Sequence, residues 1–177
     1  MKWRKFSYRG SEYNLSHLHP FEWHYNVQKE HKAPARAYRF NVTFSMHCFT
    51  RKPLRTETVD PALYYRGPKE SRIFCFARYD LSTQLPDIIR SLGQRVCWHT
   101  HHDNFFTVEL QDPEGRKSEY EIYFDVFRSK KGWMTLMIQS AYVRDERHET
   151  SQPRKRKVRF SVIARARLEK RKLRPPP

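Results

Sequence analysis

Glycine and cysteine are both scarce in this chain, with five glycines and three cysteines among 177 residues. So few glycines argue against a glycine-rich loop that cradles phosphate through its backbone, and we predict no bound cofactor. The cysteines, Cys48, Cys75 and Cys97, form no CxxC pair, which predicts buried thiols in a reducing cytoplasm rather than a thiolate zinc site. Apolar runs are short of the roughly 18 residues that a membrane span requires, so we expect no contact with a membrane.

Acidic residues are also few, because 19 of them face 35 lysines and arginines and leave a formal net charge of +16. Few folded domains carry such self-repulsion without an anionic partner, so the charge predicts binding to RNA or DNA. Eleven basic residues and one acidic residue lie within 153–177. A basic tail is typical of a nucleic-acid arm or of a segment that docks on an acidic protein, although a solubilising terminus is the alternative. The predicted nucleic-acid contacts are Arg128, Arg154, Lys155, Arg156, Lys157, Arg165, Arg167, Lys170, Arg171 and Lys172.

Alternation of apolar and polar residues predicts most of the secondary structure. Residues 38–48 alternate most clearly, which sends Phe44 to a core and Ser45 and His47 to an open sheet face. Residues 81–92 have the spacing of a helix that Gly93 would end, and Pro86 either limits this helix to a start near Gln84 or kinks it. Other strands are predicted over 72–78, 95–99, 104–111, 118–128, 133–143 and 158–164.

These elements predict the α+β class, with one main helix packed on an antiparallel meander. We expect a single domain over residues 1–152, in which residues 1–35 are less regular. A basic strand and tail over residues 153–177 would follow it.

Histidine, in contrast, is abundant, with nine residues. Because imidazole both donates and accepts protons near neutral pH, His47, His99, His101 and His102 are candidates for acid–base cleavage of RNA. RNA supplies its own nucleophile, the 2′-hydroxyl, so such a site needs only a base, an acid and cations. Glu109 is a further candidate base. Arg128 and Arg144 are candidate phosphate clamps at strand ends.

Each of these candidates has a simpler explanation. The histidines could contact phosphate without catalysis or lie in the core, and His99 with His101 and His47 could instead hold zinc. No dedicated metal motif accompanies them, so we predict no metal. Acidic residues on the late strands, including Glu109, could simply pair with arginine and lysine on neighbouring strands. Candidate rings for stacking on unpaired bases are Phe49, Tyr64, Tyr65 and Trp98.

The segment 81–143, a helix followed by short antiparallel strands, resembles the small RNase toxins of the barnase, EndoU, colicin and RelE-like superfamily. The resemblance rests on the strand that ends Ser140-Ala141-Tyr142, on the strand before it and on the Lys130-Lys131-Gly132 turn. It implies metal-independent RNA cleavage near Ser140 and Tyr142, and an acidic partner that neutralises the enzyme. We therefore predict a small endoribonuclease of toxin or defence type. The alternative is a non-catalytic nucleic-acid-binding subunit of a larger complex.

Overall fold

The computed structural model describes residues 1–28, 35–100, 104–111, 118–144 and 151–173. None of the helices in these ranges is long and apolar enough to cross a membrane. The strands are β1 (Phe6–Tyr8), β2 (Ser11–Tyr13), β3 (Phe21–Val27), β4 (Arg36–Phe44), β5 (Thr50–Arg51), β6 (Tyr64–Arg66), β7 (Ser71–Phe74), β8 (Cys97–His99), β9 (Phe105–Gln111), β10 (Ser118–Arg128), β11 (Trp133–Val143) and β12 (Arg156–Val158). The α-helices are α1 (Phe76–Ser82), α2 (Leu85–Arg90) and α3 (Phe160–Leu168).

The main sheet has seven strands in the order β12-β8-β9-β10-β11-β4-β3. All neighbours are antiparallel except β11 and β4, which run parallel. The prediction of one main helix on an antiparallel meander is therefore wrong, because the described chain is mostly β-structure around a mixed sheet. Alternation identified β4, β9, β10 and β11, but it missed β3, and it contains no information about which distant strand each one joins.

One face of the main sheet, called here the first face, lies on the core. In β4, Tyr38, Phe40 and Val42 are buried, while the residues between them are more exposed, as the alternation predicts. The strand ends at Phe44, earlier than expected, and a 3-10 turn follows it. On β3, Trp23 stacks on Phe40 with 5.3 Å between ring centroids.

Helix α3 packs against the first face, where the sequence predicts a strand over 158–164. That prediction is wrong beyond Val158, because Phe160, Ile163 and Ala164 are spaced as one face of a helix and are all buried. The Phe160 ring lies among those of Trp23, Tyr25, Phe40 and Phe124, with centroid distances of 5.2–6.1 Å. The basic C-terminal segment therefore contributes apolar side chains to the core.

The predicted helix over 81–92 is divided in two. Its first part begins early, at Phe76, so the predicted strand over 72–78 ends at Phe74. The second part begins at Leu85, with Pro86 in its first turn, where a missing N–H group costs no helical hydrogen bond.

A three-stranded sheet in the order β5-β7-β6 and the β1–β2 hairpin form an aromatic region beside the main sheet. Phe6 stacks on Phe74 at 4.1 Å, and the edge of Phe49 meets Tyr65 at 5.0 Å. Phe49 and Tyr65 are buried, so they are core rings rather than free stacking surfaces, whereas Tyr64 is exposed.

Tyr120 carries a hydroxyl group that is fully buried and has no hydrogen-bond partner among the described residues. Burial raises the pKa of this phenol. Removing an unsatisfied buried group can be neutral or stabilising, so we expect Tyr120→Phe to change the free energy of unfolding by between zero and about +1 kcal/mol. Tyr123→Phe should instead destabilise by about 1 kcal/mol, because the Tyr123 hydroxyl donates to Glu121 at 2.6 Å. Urea unfolding of both variants checks this, and a larger loss for Tyr120→Phe would contradict it.

Candidate nucleic-acid interface

His99 lies on the core side of β8. Its side chain is 3% exposed, its ring meets the edge of Phe105 at 5.3 Å, and its Nε2 atom lies 3.2 Å from the Leu173 carbonyl oxygen. These contacts hold the C-terminal segment against β8. The neighbouring candidates His101 and His102 lie outside the described residues.

His47 sits in the 3-10 turn after β4, not in the strand as predicted. Its Nε2 atom lies 2.8 Å from a carboxylate oxygen of Glu70, and both side chains are partly exposed. The hydrogen bond to His47 is the main reason that the pKa of Glu70 is lowered. His47 and His99 share no hydrogen-bond partner in the described structure, and no group of three or more possible metal ligands forms there.

The acidic residues of β9 and β10 pair with cations from other parts of the fold. Glu109 pairs with Arg95, and Glu119 pairs with Lys155 at 2.6 Å. The arginine predicted as a phosphate clamp, Arg144, pairs with Glu121 at 2.9 Å.

The Glu121 side chain is buried, and its carboxylate accepts four hydrogen bonds from three residues. Arg144 donates to both of its oxygens, at 3.0 and 2.9 Å, and the amide of Gln152 donates at 2.9 Å. The Tyr123 hydroxyl supplies the remaining bond. Hydrogen bonding to Glu121 raises the pKa of the Arg144 guanidinium above its ordinary value. This network fully satisfies a buried charge, which indicates a structural role for Arg144.

Four aromatic rings form a row across the other face of the sheet, called here the second face. Successive strands contribute Trp98, Phe106, Tyr123 and Tyr142, with 5.3, 5.3 and 5.7 Å between neighbouring centroids. Ser140 lies opposite Tyr123 in the β10–β11 register. Phe106 is fully buried and Tyr123 is 9% exposed, so the middle of the row does not present free rings to a ligand.

Much of the charge of the C-terminal segment is neutralised within the fold. Glu169 binds both Arg165 and Arg171, which lowers the pKa of its carboxyl to about 2. Arg167 pairs with Asp125 at 3.1 Å. Arg156 and Lys157 belong to the edge strand β12, and Lys172 is exposed beyond α3. Within the described ranges, the residues of this segment that lack a carboxylate partner include Arg154, Lys157 and Lys170.

A second group of side chains lies at the other end of the second face, beside the β10–β11 turn. The sheet register places His24, Arg39 and Trp133 side by side on β3, β4 and β11. The Arg39 guanidinium lies 5.1 Å from the Trp133 ring centroid, and the His24 ring lies 6.1 Å from it. Arg39 also donates to the Lys131 carbonyl at 3.0 Å, which ties the turn to β4.

Cations and one further ring complete this group, which we call the hairpin patch. Phe127 alternates onto the second face of β10 and is 47% exposed, unusual for a phenylalanine. The patch consists of four residues of the second face, His24, Arg39, Phe127 and Trp133, and of three cations at its rim. These are Lys130 and Lys131 in the turn and Arg128, which alternates toward the first face at the end of β10. In the part of the chain that the structure describes, none of its arginines and lysines has a carboxylate partner. The hairpin patch thus combines unpaired positive charge with one exposed ring, Phe127, and one half-buried ring, Trp133.

Sequence reasoning found Arg128 but missed the rest of the hairpin patch. Arg39 and Trp133 are 94 positions apart, and only the parallel pairing of β4 with β11 makes them neighbours. The available signal was local: Trp133 directly follows the basic turn Lys130-Lys131-Gly132, at a position that alternates away from buried Met134.

Together, these elements define a strongly basic mixed-sheet protein with an aromatic and cationic patch on its second face. The chain belongs to the YjaZ family, whose sequence model matches residues 5–168. It is similar to Protein YjaZ of Escherichia coli strain K12, with 35% identity over 166 residues, covering 92% of this chain and 89% of that protein. No solved structure matched the chain. The matched range reaches the last residue of α3, so the basic helix belongs to the family's common sequence.

Proposed function

We propose that this protein binds single-stranded nucleic acid, with RNA as the first ligand to test, through the hairpin patch. The observation that carries the proposal is the row of His24, Arg39 and Trp133 on an open sheet face, bordered by unpaired cations and exposed Phe127. Sheet faces with accessible rings suit unpaired bases, because every base has a face on which a ring can stack. The cations would follow the phosphates.

The combination of rings and charge favours a nucleic acid over an acidic protein surface. An acidic partner, as the toxin resemblance implies, would neutralise Lys130 and Lys131 but would leave Phe127 and Trp133 without a matching group. Paired bases would also leave these rings unused, because a duplex hides the faces of its bases. We therefore expect single strands to bind more tightly than duplexes of equal length.

Binding of a fluorescein-labelled RNA oligonucleotide, followed by anisotropy, tests the proposal. Trp133→Ala should weaken binding by about 1–3 kcal/mol, the usual effect of losing one stacked base. For Lys130→Ala, the slope of log affinity against log salt concentration should be smaller in magnitude by about 0.7, because one fewer counterion is released on binding.

Two matched variants control for general surface effects. Leu54→Ala removes another exposed apolar side chain, and Lys52→Ala removes another unpaired cation, both outside the main sheet. Neither should change affinity. Equal binding by Trp133→Ala and the unmodified protein, with both shown to be folded by thermal melts, would overturn the proposal.

Cleavage of the bound strand is a second candidate function. The observation that favours it is the contact between the His47 imidazole and the Glu70 carboxylate, since a carboxylate can orient a histidine that moves protons. Denaturing gels of the same RNA reactions test it. Products that disappear in His47→Ala would support cleavage, whereas intact RNA would leave the binding function alone.

A further inference from the structure

Arg78 is a half-buried cation that no carboxylate of the described structure neutralises. It projects from α1, and its Nη1 atom donates to the backbone carbonyl oxygens of His47 and Thr50, at 3.1 and 2.8 Å. Its Nε and Nη2 atoms have no partner among the described residues. Other arginines of similar burial, such as Arg144 and Arg167, are paired with carboxylates.

Two further arginines, Arg144 and Arg72, lie near Arg78, and each of them already has its own carboxylate. The Arg78 guanidinium lies 5.0 Å from the Tyr142 ring centroid, and Arg144 lies 5.5 Å from the same ring. Arg72, almost buried, donates to the Thr50 hydroxyl at 3.1 Å and shares Glu70 with His47. Arg78 is thus a half-buried charge without a counterion, whose free nitrogens remain open to a ligand, and an anion bound there would offset the cost of its partial burial.

The topology explains why these groups meet. Strand β4 stops pairing with β11 at Ile138, while β11 continues to Val143. The 3-10 turn after β4 and helix α1 occupy the vacant edge and contact β11 there. Arg78 therefore lies beside Tyr142 at the edge of the second face, at the end away from the hairpin patch.

We propose that Arg78 forms, with the Tyr142 edge of the second face, a binding site for a phosphate group. The planar guanidinium would offer its Nε and Nη2 hydrogens as a fork to two phosphate oxygens. The phosphate would belong to a nucleic-acid strand that continues from the hairpin patch, and this part of the proposal rests on the proposed function. A free phosphate or pyrophosphate ion has the same chemistry and is the other source.

Two titrations on the same preparations separate these sources. One is a calorimetric titration with pyrophosphate, and the other is an anisotropy titration with the labelled RNA. Arg78→Lys keeps the charge but loses the fork, so its pyrophosphate affinity should fall by about tenfold. Because lysine keeps the positive charge, the RNA salt slope should stay unchanged, while the RNA affinity also falls by about tenfold. Arg66→Lys, at an exposed arginine of β6 that has no carboxylate partner among the described residues, is the matched control and should change neither affinity.

The outcomes distinguish this proposal from the proposed function. If Arg78→Lys binds both RNA and pyrophosphate as tightly as the unmodified protein does, the Arg78 site is overturned. The proposal for the hairpin patch is not affected by that result. If the unmodified protein does not bind RNA but binds pyrophosphate, and Arg78→Lys weakens that binding, the site is supported and its ligand is a free ion. If Arg78→Lys does not fold, the test uses the unmodified protein. Its melting temperature is then measured against pyrophosphate concentration at matched ionic strength. If the melting temperature shows no saturable rise, the site is overturned.

Discussion

Phe160→Ala is expected to destabilise the protein by about 3–5 kcal/mol, the range observed when a buried aromatic ring is removed from a core. Phe160 is 1% exposed and touches rings from β3, β4 and β10, so its loss leaves a cavity between α3 and the first face. The midpoint of urea unfolding, with the slope held constant, measures the change.

Val162, on the same helix, supplies the control for Phe160. It is 45% exposed, so Val162→Ala should change the free energy of unfolding by no more than about 0.5 kcal/mol. An unfolding midpoint for Phe160→Ala equal to that of Val162→Ala would show that α3 is not docked on the sheet.

Deletion of residues 153–177 removes α3 and with it Phe160. Because α3 covers the first face, the deletion should abolish cooperative unfolding and not only lower the net charge.

Glu121→Ala is expected to cost about 3 kcal/mol, because it leaves the guanidinium of Arg144 without its counterion in a largely buried position. It also leaves the hydroxyl of Tyr123 and the amide of Gln152 without an acceptor at that position. Chemical unfolding of Glu121→Ala, Arg144→Ala and the double variant measures the coupling between the two residues.

Glu109→Ala is the matched comparison for Glu121→Ala. Glu109 also pairs with an arginine, but its side chain is 30% exposed where that of Glu121 is 2% exposed. Solvent screens such a pair, so its removal should cost no more than about 1 kcal/mol. Equal losses for the two variants would contradict the assignment of Glu121 and Arg144 to a buried structural network.

Local patterns in the sequence predicted the strands well where both neighbours are close in the chain. The bounds of β10 and β11 agree with the predicted ranges, because apolar residues alternate over part of each strand and a short basic turn joins them. The same reasoning failed for α3. Its β-branched and aromatic residues favour a strand, yet Phe160, Ile163 and Ala164 also fit a helical face, and packing against the first face decides between the two.

The candidate site was less predictable than the fold, because it depends on register and on long-range pairing. Arg144 looked available for phosphate from its position at a strand end. The β10–β11 register sets Glu121 opposite Tyr142, two residues from Arg144, and so provides the carboxylate that binds it. In the sequence, Arg78 is one of several cations that lie between aromatic residues, and only the packing of α1 against β11 places it beside Tyr142.

The parallel contact between β4 and β11 has a consequence for the rate of folding. It joins segments about 94 positions apart, as the hydrogen bond from Thr43 to the sulfur of Met137 shows. Closing so long a loop loses chain entropy before any contact compensates, and proteins dominated by distant pairings fold slowly. During synthesis, β3 and β4 would leave the ribosome long before β11 exists, with the apolar side chains of β4 uncovered. The nascent chain is therefore expected to depend on chaperones that shield exposed strands.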